Sequence, residues 1–175
     1  MATKKTNKLA RDKHTEDISA VSEPLATYSI NAAATRSIML MGMNGRQSFT
    51  GIKNESDFIE VIRNGIPKQA MMNLMQVAGL SLLEMAAIIH TSDRTLRRYT
   101  PAQKLSQEQS ERMVEMARLY SRGEEVFGTM DAFREWMDTM LLQFGNKKPK
   151  DYLDTSLGIN MIMDELGRIQ HGIFA

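Results

Sequence analysis

The sequence contains no cysteine among its 175 residues. This absence excludes disulfide bridges, thiolate metal sites and cysteine nucleophiles. The chain also lacks an apolar run of the ~20 residues that a membrane-spanning helix needs, and its start is polar where a signal peptide would be apolar. We therefore predict a cytoplasmic protein that has no membrane partner.

An excess of charge of one sign is lacking as well. The 22 Lys and Arg residues are balanced by 21 Asp and Glu residues, which leaves a net charge of +1. A global charge argument for nucleic-acid binding therefore fails, and only local clustering can support one. Such a cluster exists, because residues 94–104 hold Arg94, Arg97, Arg98 and Lys104 and no acidic residue, whereas many acidic residues follow in 108–138.

The sequence contains no recognisable grouping of catalytic residues. The three histidines, His14, His90 and His171, are scattered, and no pair of them has metal-ligand spacing. No glycine-rich phosphate loop follows a strand, and no Ser/His/Asp set can be grouped along the chain. We expect neither enzymatic activity nor a metal or other cofactor.

What the sequence does contain is a succession of helix signals, which predicts an all-α fold. Apolar residues recur at helical spacing, and alternation with period two is missing from the second half. A capping box at Ser106 and Gln109 opens one helix, which ends at Gly128. Thr129 caps the next, which Gly145 is expected to close, and Thr155 or Ser156 begins the last, which stops at Gly172.

Two points stay open at this level. The run from Tyr28 to Met41 favours a helix, but Asn44-Gly45 could instead join Ser37–Met43 to Arg46–Ile52 as a β-hairpin. The 15 methionines suit either a helical dimer interface or the core of a monomer.

Residues 80–99 have the layout of a helix-turn-helix. Ala86 supplies the small residue where two helices approach each other, and Leu96 supplies an apolar anchor on the second helix. His90 stands at the turn position that glycine usually occupies. The second helix would present its polar side chains to base edges and phosphates. These candidate DNA contacts are Ser92, Arg94, Thr95, Arg97 and Arg98.

The end of the chain is a second candidate site. Ile173 and Phe174 follow the helix stop with no further element to bury them, so they either fold back or enter a pocket of a partner. His171 could instead serve the helix dipole. Gly167, in mid-helix, indicates close approach of another backbone, and Trp136 with Phe133 is more typical of core than of an interface.

Several short runs along the second half carry a family likeness. They are Ser92-Asp-Arg-Thr-Leu-Arg-Arg98, Lys104-Leu-Ser-Gln-Glu-Gln-Ser110, Val126-Phe-Gly128, Trp136-Met137, Lys148-Pro149 and Leu166-Gly-Arg-Ile-Gln-His-Gly-Ile-Phe-Ala175. With this set the chain resembles the Xre/MbcA/ParS antitoxins from about Gly65 to its end. The closing Leu-x-Arg-Ile-x-His-Gly-Ile pattern is the most specific part of the resemblance.

The resemblance implies an antitoxin of a type II toxin-antitoxin system. Its partners would be a RES-domain toxin, which consumes NAD or transfers ADP-ribose, and operator DNA, bound as a homodimeric transcriptional repressor. In the family, the C-terminal domain covers the active site of the toxin. The residues that the resemblance places at the entrance of that active site are Arg168, His171, Gly172, Ile173, Phe174 and Ala175. The alternative is a plain helix-turn-helix regulator that has no toxin.

Three regions are expected on this basis. Residues 1–27 form a disordered or flexible tail, residues 28–103 form a helical domain that holds the helix-turn-helix at 81–99, and residues 104–175 form the toxin-binding domain.

Overall fold

A computed structural model describes residues 23–43 and 56–172, with the side chains of the first segment from residue 32 onward. All regular elements in these ranges are helical, as predicted. They are α1 (Glu23–Leu40), α2 (Asp57–Asn64), α3 (Lys68–Ala78), α4 (Leu82–Ile88), α5 (Asp93–Arg98), α6 (Gln107–Phe127), α7 (Met130–Met137) and α8 (Ser156–Gln170). Two 3-10 turns, Leu142–Phe144 and Pro149–Tyr152, connect α7 to α8.

Helix α6 is the central element, and it packs against α1, α2, α3, α7 and α8. Its start is fixed by the predicted capping box. The backbone N–H of Gln109 donates to the Ser106 hydroxyl at 3.2 Å, and the N–H of Ser106 donates to the Gln109 side chain at 3.0 Å. Gly128 ends the helix in the left-handed region at φ 79°. Local sequence thus sets both ends of the element around which the core forms.

The core beside α6 is aromatic and rich in methionine. Phe133 is fully buried and meets Tyr120 edge to face at a centroid distance of 5.3 Å, while Trp136 stacks against Phe133 at 5.9 Å. A Cβ on Gly123 would come within 2.4 Å of the Phe133 ring, so the helix needs glycine there. The expectation of a core role for Phe133 and Trp136 is confirmed. Seven methionines of the described residues are buried, and four more are partly buried against the core: the first group is Met41, Met43, Met71, Met85, Met113, Met116 and Met137, and the second is Met72, Met75, Met130 and Met163.

The first helix corrects two expectations. Residues Ser37 to Leu40 are helical, so the first strand of the alternative hairpin is wrong, and its Asn44-Gly45 turn lies outside the described residues. The Ser37 hydroxyl donates to the carbonyl of Ala33 at 2.9 Å and so is satisfied inside the helix. The helix also begins at Glu23, inside the stretch expected to be a tail, since Pro24 falls in the first turn, where proline is tolerated.

Helix α7 is shorter than the sequence indicated. It ends at Met137 instead of continuing toward Gly145. The chain then reverses, because the N–H of Leu141 donates to the carbonyl of Lys147 at 3.1 Å, and Gly145 takes a left-handed φ of 65° inside that reversal. The glycine was thus assigned to the wrong element: it serves a tight turn instead of a helix end.

No single helix in the described ranges is long and apolar enough to cross a membrane. Helices α3 and α4 would reach the required length and apolarity only as a pair, and they are bent by 113° at the break between them.

Two glycines of α8 have opposite surroundings. A Cβ on Gly158 would lie 2.0 Å from the carbonyl oxygen of Tyr152, so the 3-10 turn can approach the helix only at a glycine. At Gly167, by contrast, no described atom lies within 4 Å of such a Cβ. The close approach inferred for Gly167 is therefore not made within the described residues, and it occurs at Gly158 instead.

Replacing Gly158 by alanine is expected to lower the free energy of unfolding by about 1–3 kcal/mol, because the added methyl group must push backbone aside. Urea unfolding followed by circular dichroism measures the change. The matched control is Gly167→Ala in the same helix, which should gain about 0.5–1 kcal/mol from helix propensity alone. Equal stability of the two variants would contradict this assignment.

Candidate functional site

The helix-turn-helix is built from α4, a tight turn and α5. The Ser81 hydroxyl and the Glu84 carboxylate form a capping box at the start of α4. His90 adopts a left-handed φ of 54°, which explains why the turn position suits glycine. Ala86 and Leu96 are buried between the helices as predicted.

The first turn of α5 uses two of the predicted DNA contacts to organise itself. The Ser92 hydroxyl accepts the N–H of Thr95 at 3.0 Å and lies 2.8 Å from the Thr95 hydroxyl. Ser92 therefore caps the helix, a role that its position before the helix also indicates. The Ser92 side chain is exposed and the Thr95 side chain is partly exposed, but both hydroxyls already have hydrogen-bond partners.

The three arginines of α5 differ in their surroundings. Arg97 lies 3.4 Å from the carboxylate of Asp93, one turn earlier. Arg94 and Arg98 are exposed and take part in no ion pair within the described part of the chain. Because they are four residues apart, they share one face of the helix. The structure thus brings two uncompensated guanidinium groups together on the outer side of α5.

The end of the helix-turn-helix is tied to the rest of the fold by backbone pairing. Lys68 donates its backbone N–H to the carbonyl of Gln103 at 2.8 Å and its ammonium to the carbonyl of Tyr99 at 2.9 Å. The N–H of Leu105 donates to Ile66 at 2.8 Å. These bonds hold the C-terminal end of α5 against the start of α3.

The second candidate site is the C-terminal half of α8. Arg168 and His171 are exposed, and Gly172 takes a left-handed φ of 66° after the helix. Ile173, Phe174 and Ala175 lie outside the described residues, so the two alternatives for that tail stay predictions. A residue that sequence reasoning missed is Glu165, whose buried carboxylate accepts Arg168 at 2.8 Å and Gln143 at 3.2 Å.

The spacing of Glu165 and Arg168 was a visible signal for a helical ion pair. The burial of the Glu165 carboxylate could not be read from this spacing, because its second partner, Gln143, belongs to the distant 3-10 turn. Together these side chains line a groove of about 200 Å³ between that turn and α8.

The two candidate sites are joined across the fold by polar contacts. His90, in the turn of the helix-turn-helix, lies with its Nε2 2.8 Å from the carbonyl oxygen of Asp154, just before α8. Lys150 lies 2.6 Å from the carboxylate of Asp138 and 3.6 Å from that of Glu84 in α4. The helix-turn-helix is therefore attached to the segment that leads into α8.

These contacts shift the titration of the groups involved. The hydrogen bond with Lys150 lowers the pKa of Asp138 and raises the pKa of Lys150. The pKa of Glu84 is lowered first by its hydrogen bonds with Ser81 and further by Lys150. No group of three or more metal-ligating side chains exists within the described ranges.

A helix-turn-helix that carries unpaired arginines, followed by a helical unit with a polar groove, defines the class of helix-turn-helix proteins with a second helical domain. Comparison with known families specifies the class further. Residues 57–118 match the Antitoxin Xre-like helix-turn-helix domain, and residues 122–172 match the Antitoxin Xre/MbcA/ParS C-terminal toxin-binding domain. The chain belongs to the Xre/MbcA/ParS antitoxin family and is a type II antitoxin, not an enzyme.

Individual relatives agree with this assignment. The chain is 25% identical over 119 residues to an Antitoxin Xre from Yersinia enterocolitica, a match that covers 67% of this chain and 80% of that protein. It is 31% identical over 78 residues to an Antitoxin Xre from Photorhabdus laumondii, covering 44% of this chain and about half, 53%, of that relative. The toxin-binding domain implies a cognate toxin for this chain.

We expect Lys150→Met to lower the free energy of unfolding at pH 7 by less than about 1 kcal/mol, because the pairs are partly exposed. The lowered pKa values of Asp138 and Glu84 stabilise the fold above the usual carboxyl pKa of about 4, and this contribution is lost as the pH falls through the lowered values. The difference from the unchanged protein should therefore shrink as the pH falls below about 4, and also in about 1 M salt.

Urea unfolding at pH 7 and pH 3 measures this dependence. Arg94→Met is the matched control, since it removes the same charge from a side chain without an ion pair in the described region. Equal losses for both variants at pH 7 would show that the Lys150 contacts add no stability.

Proposed function

We propose that this antitoxin represses its own operon through α5 and blocks the active site of a RES-domain toxin with its C-terminal end. The observation that carries the proposal is the pairing, in one fold, of an arginine face on α5 with a toxin-binding domain that ends in exposed Arg168 and His171. The regions 28–103 and 104–175 belong to the same proposal.

The DNA side of the proposal depends on which arginines are available. Arg94 and Arg98 are exposed on one face of α5, whereas Arg97 is partly compensated by Asp93. Arginine forks bind guanine edges or phosphate oxygens in the major groove. Ser92 and Thr95 would approach the same groove while they cap the helix. Arg94 and Arg98 are thus expected to supply most of the affinity.

The variant Arg94→Ala with Arg98→Ala is expected to abolish binding to the promoter DNA of its own operon without unfolding the protein. A gel-shift assay checks the binding, and circular dichroism checks the fold. Affinity of the unchanged protein should fall steeply with salt, because phosphate contacts release counterions. The control is Arg63→Ala with Lys147→Ala, which removes the same charge from exposed positions outside α5. Unchanged DNA binding by the α5 variant would refute the proposal.

The toxin side of the proposal depends on the end of α8. The helix carries Arg168, held by Glu165, and presents His171 just before Gly172. From here the chain continues to Ile173, Phe174 and Ala175. An aromatic anchor that enters a concave pocket is a common source of binding energy, and a NAD-consuming active site offers such a pocket.

Deletion of Gly172 to Ala175 is expected to spare the fold and the homodimer and to abolish neutralisation of the toxin. Co-expression of the truncated chain with the toxin measures protection, and size-exclusion chromatography measures the oligomeric state. The substitution Phe174→Ser in the full-length chain tests the aromatic anchor by itself. Full protection by the truncated chain would contradict the proposed blocking role.

Finding a RES-like reading frame beside the one that encodes this chain would support the RES partner over a toxin of another class. Purification of the two products as a complex, followed by a NAD-consumption assay of the partner with and without this chain, tests the identity of the toxin. A partner that consumes no NAD would remove the RES assignment and leave the antitoxin class intact.

A further inference from the structure

Several large apolar side chains of the toxin-binding domain are exposed. Of the seven most exposed in the described residues, four fall within 122–172, the range matched to that domain. They are Met140 at 70%, Leu142 at 80%, Leu157 at 73% and Met161 at 39% of full exposure. Clustered exposed apolar side chains mark surfaces that bind a partner.

One of these residues, Met161, lines the groove between α8 and the Leu142–Phe144 turn. Leu157 and Met161 are four residues apart on α8, and Arg168 follows seven residues later, so all three share one face of the helix. Gln143 and Phe144 form the opposite wall of the groove, and the α8 side also carries Asp164, Glu165 and Arg168. Leu142 directly precedes Gln143 and is exposed. The groove therefore combines the apolar Met161 with charged side chains, and exposed Leu142 is next to it along the chain.

The groove is close enough to the tail that is proposed to enter the toxin for one toxin molecule to contact both. From Met161 to Gly172 is eleven residues of mostly helical chain, or about 16 Å at 1.5 Å per residue. A protein–protein interface of standard size covers about 800 Å² per partner, which corresponds to a disc of about 16 Å radius. A toxin centred on the end of α8 would thus reach Met161 and the groove that it lines.

We propose that the groove between the Leu142–Phe144 turn and α8 is the docking surface for the body of the toxin, with Leu142 and Met161 as apolar anchors. This inference rests on the proposed function and extends it. The tail would block the active site, and the groove would supply affinity outside it. Glu165 is a positioning residue in this arrangement, because it holds Arg168 at the rim of the groove.

The test compares two double variants of the full chain. Leu142→Glu with Met161→Glu is expected to weaken binding to a purified RES-domain protein, the proposed toxin partner, by about 30-fold or more, as loss of interface anchors does. The matched control is Leu83→Glu with Met39→Glu, which changes equally exposed residues on α4 and α1. Isothermal titration calorimetry should give the control the affinity of the unchanged protein.

Circular dichroism and thermal melting accompany the titrations, and Leu142→Glu alone, in an exposed turn, replaces the double variant if that one unfolds. Equal affinity of the groove variant and the unchanged protein would overturn this inference alone. So would a change of oligomeric state without loss of toxin binding, since the face would then join two copies of this chain. If the unchanged protein does not bind the RES-domain protein, the proposed function fails, and the inference fails with it.

Discussion

The burial of α6 is the constraint on which the rest of this structure depends. Five other helices pack on it, and its methionine and aromatic side chains form the centre of the core. The matches to the helix-turn-helix domain and to the toxin-binding domain meet within this one helix, at residues 118 and 122. The two functional halves therefore share a core, and neither half can bury its apolar face without α6.

This shared core gives the polar contacts at the surface a defined geometry. His90 reaches the carbonyl of Asp154, and Lys150 bridges Asp138 and Glu84, only because α4 and the 3-10 turn before α8 are both packed in fixed positions. The turn of the helix-turn-helix and the start of α8 thus lie on one rigid frame. A partner that displaces one of them must also strain the other.

The two candidate sites use charge in different ways. On α5, capping by Ser92 and the pair between Asp93 and Arg97 leave two guanidinium groups uncompensated and exposed. On α8, a buried carboxylate fixes Arg168 beside a groove that Met161 also lines. An uncompensated basic face suits the phosphates of DNA, while an ordered charge beside exposed apolar side chains suits a protein partner.

The sequence by itself determined the helix starts at Ser106, Thr129 and Thr155, the layout of the helix-turn-helix and the family, because caps, turns and spacing are local. It placed the end of α7 wrongly, and it gave no sign that Gln143 meets Glu165 or that a backbone approaches Gly158. Those features depend on residues far apart in the chain, such as Tyr152 against Gly158 and Leu141 paired with Lys147. Only tertiary packing brings such residues together, since the approach of one backbone to another is not encoded in any single window of sequence.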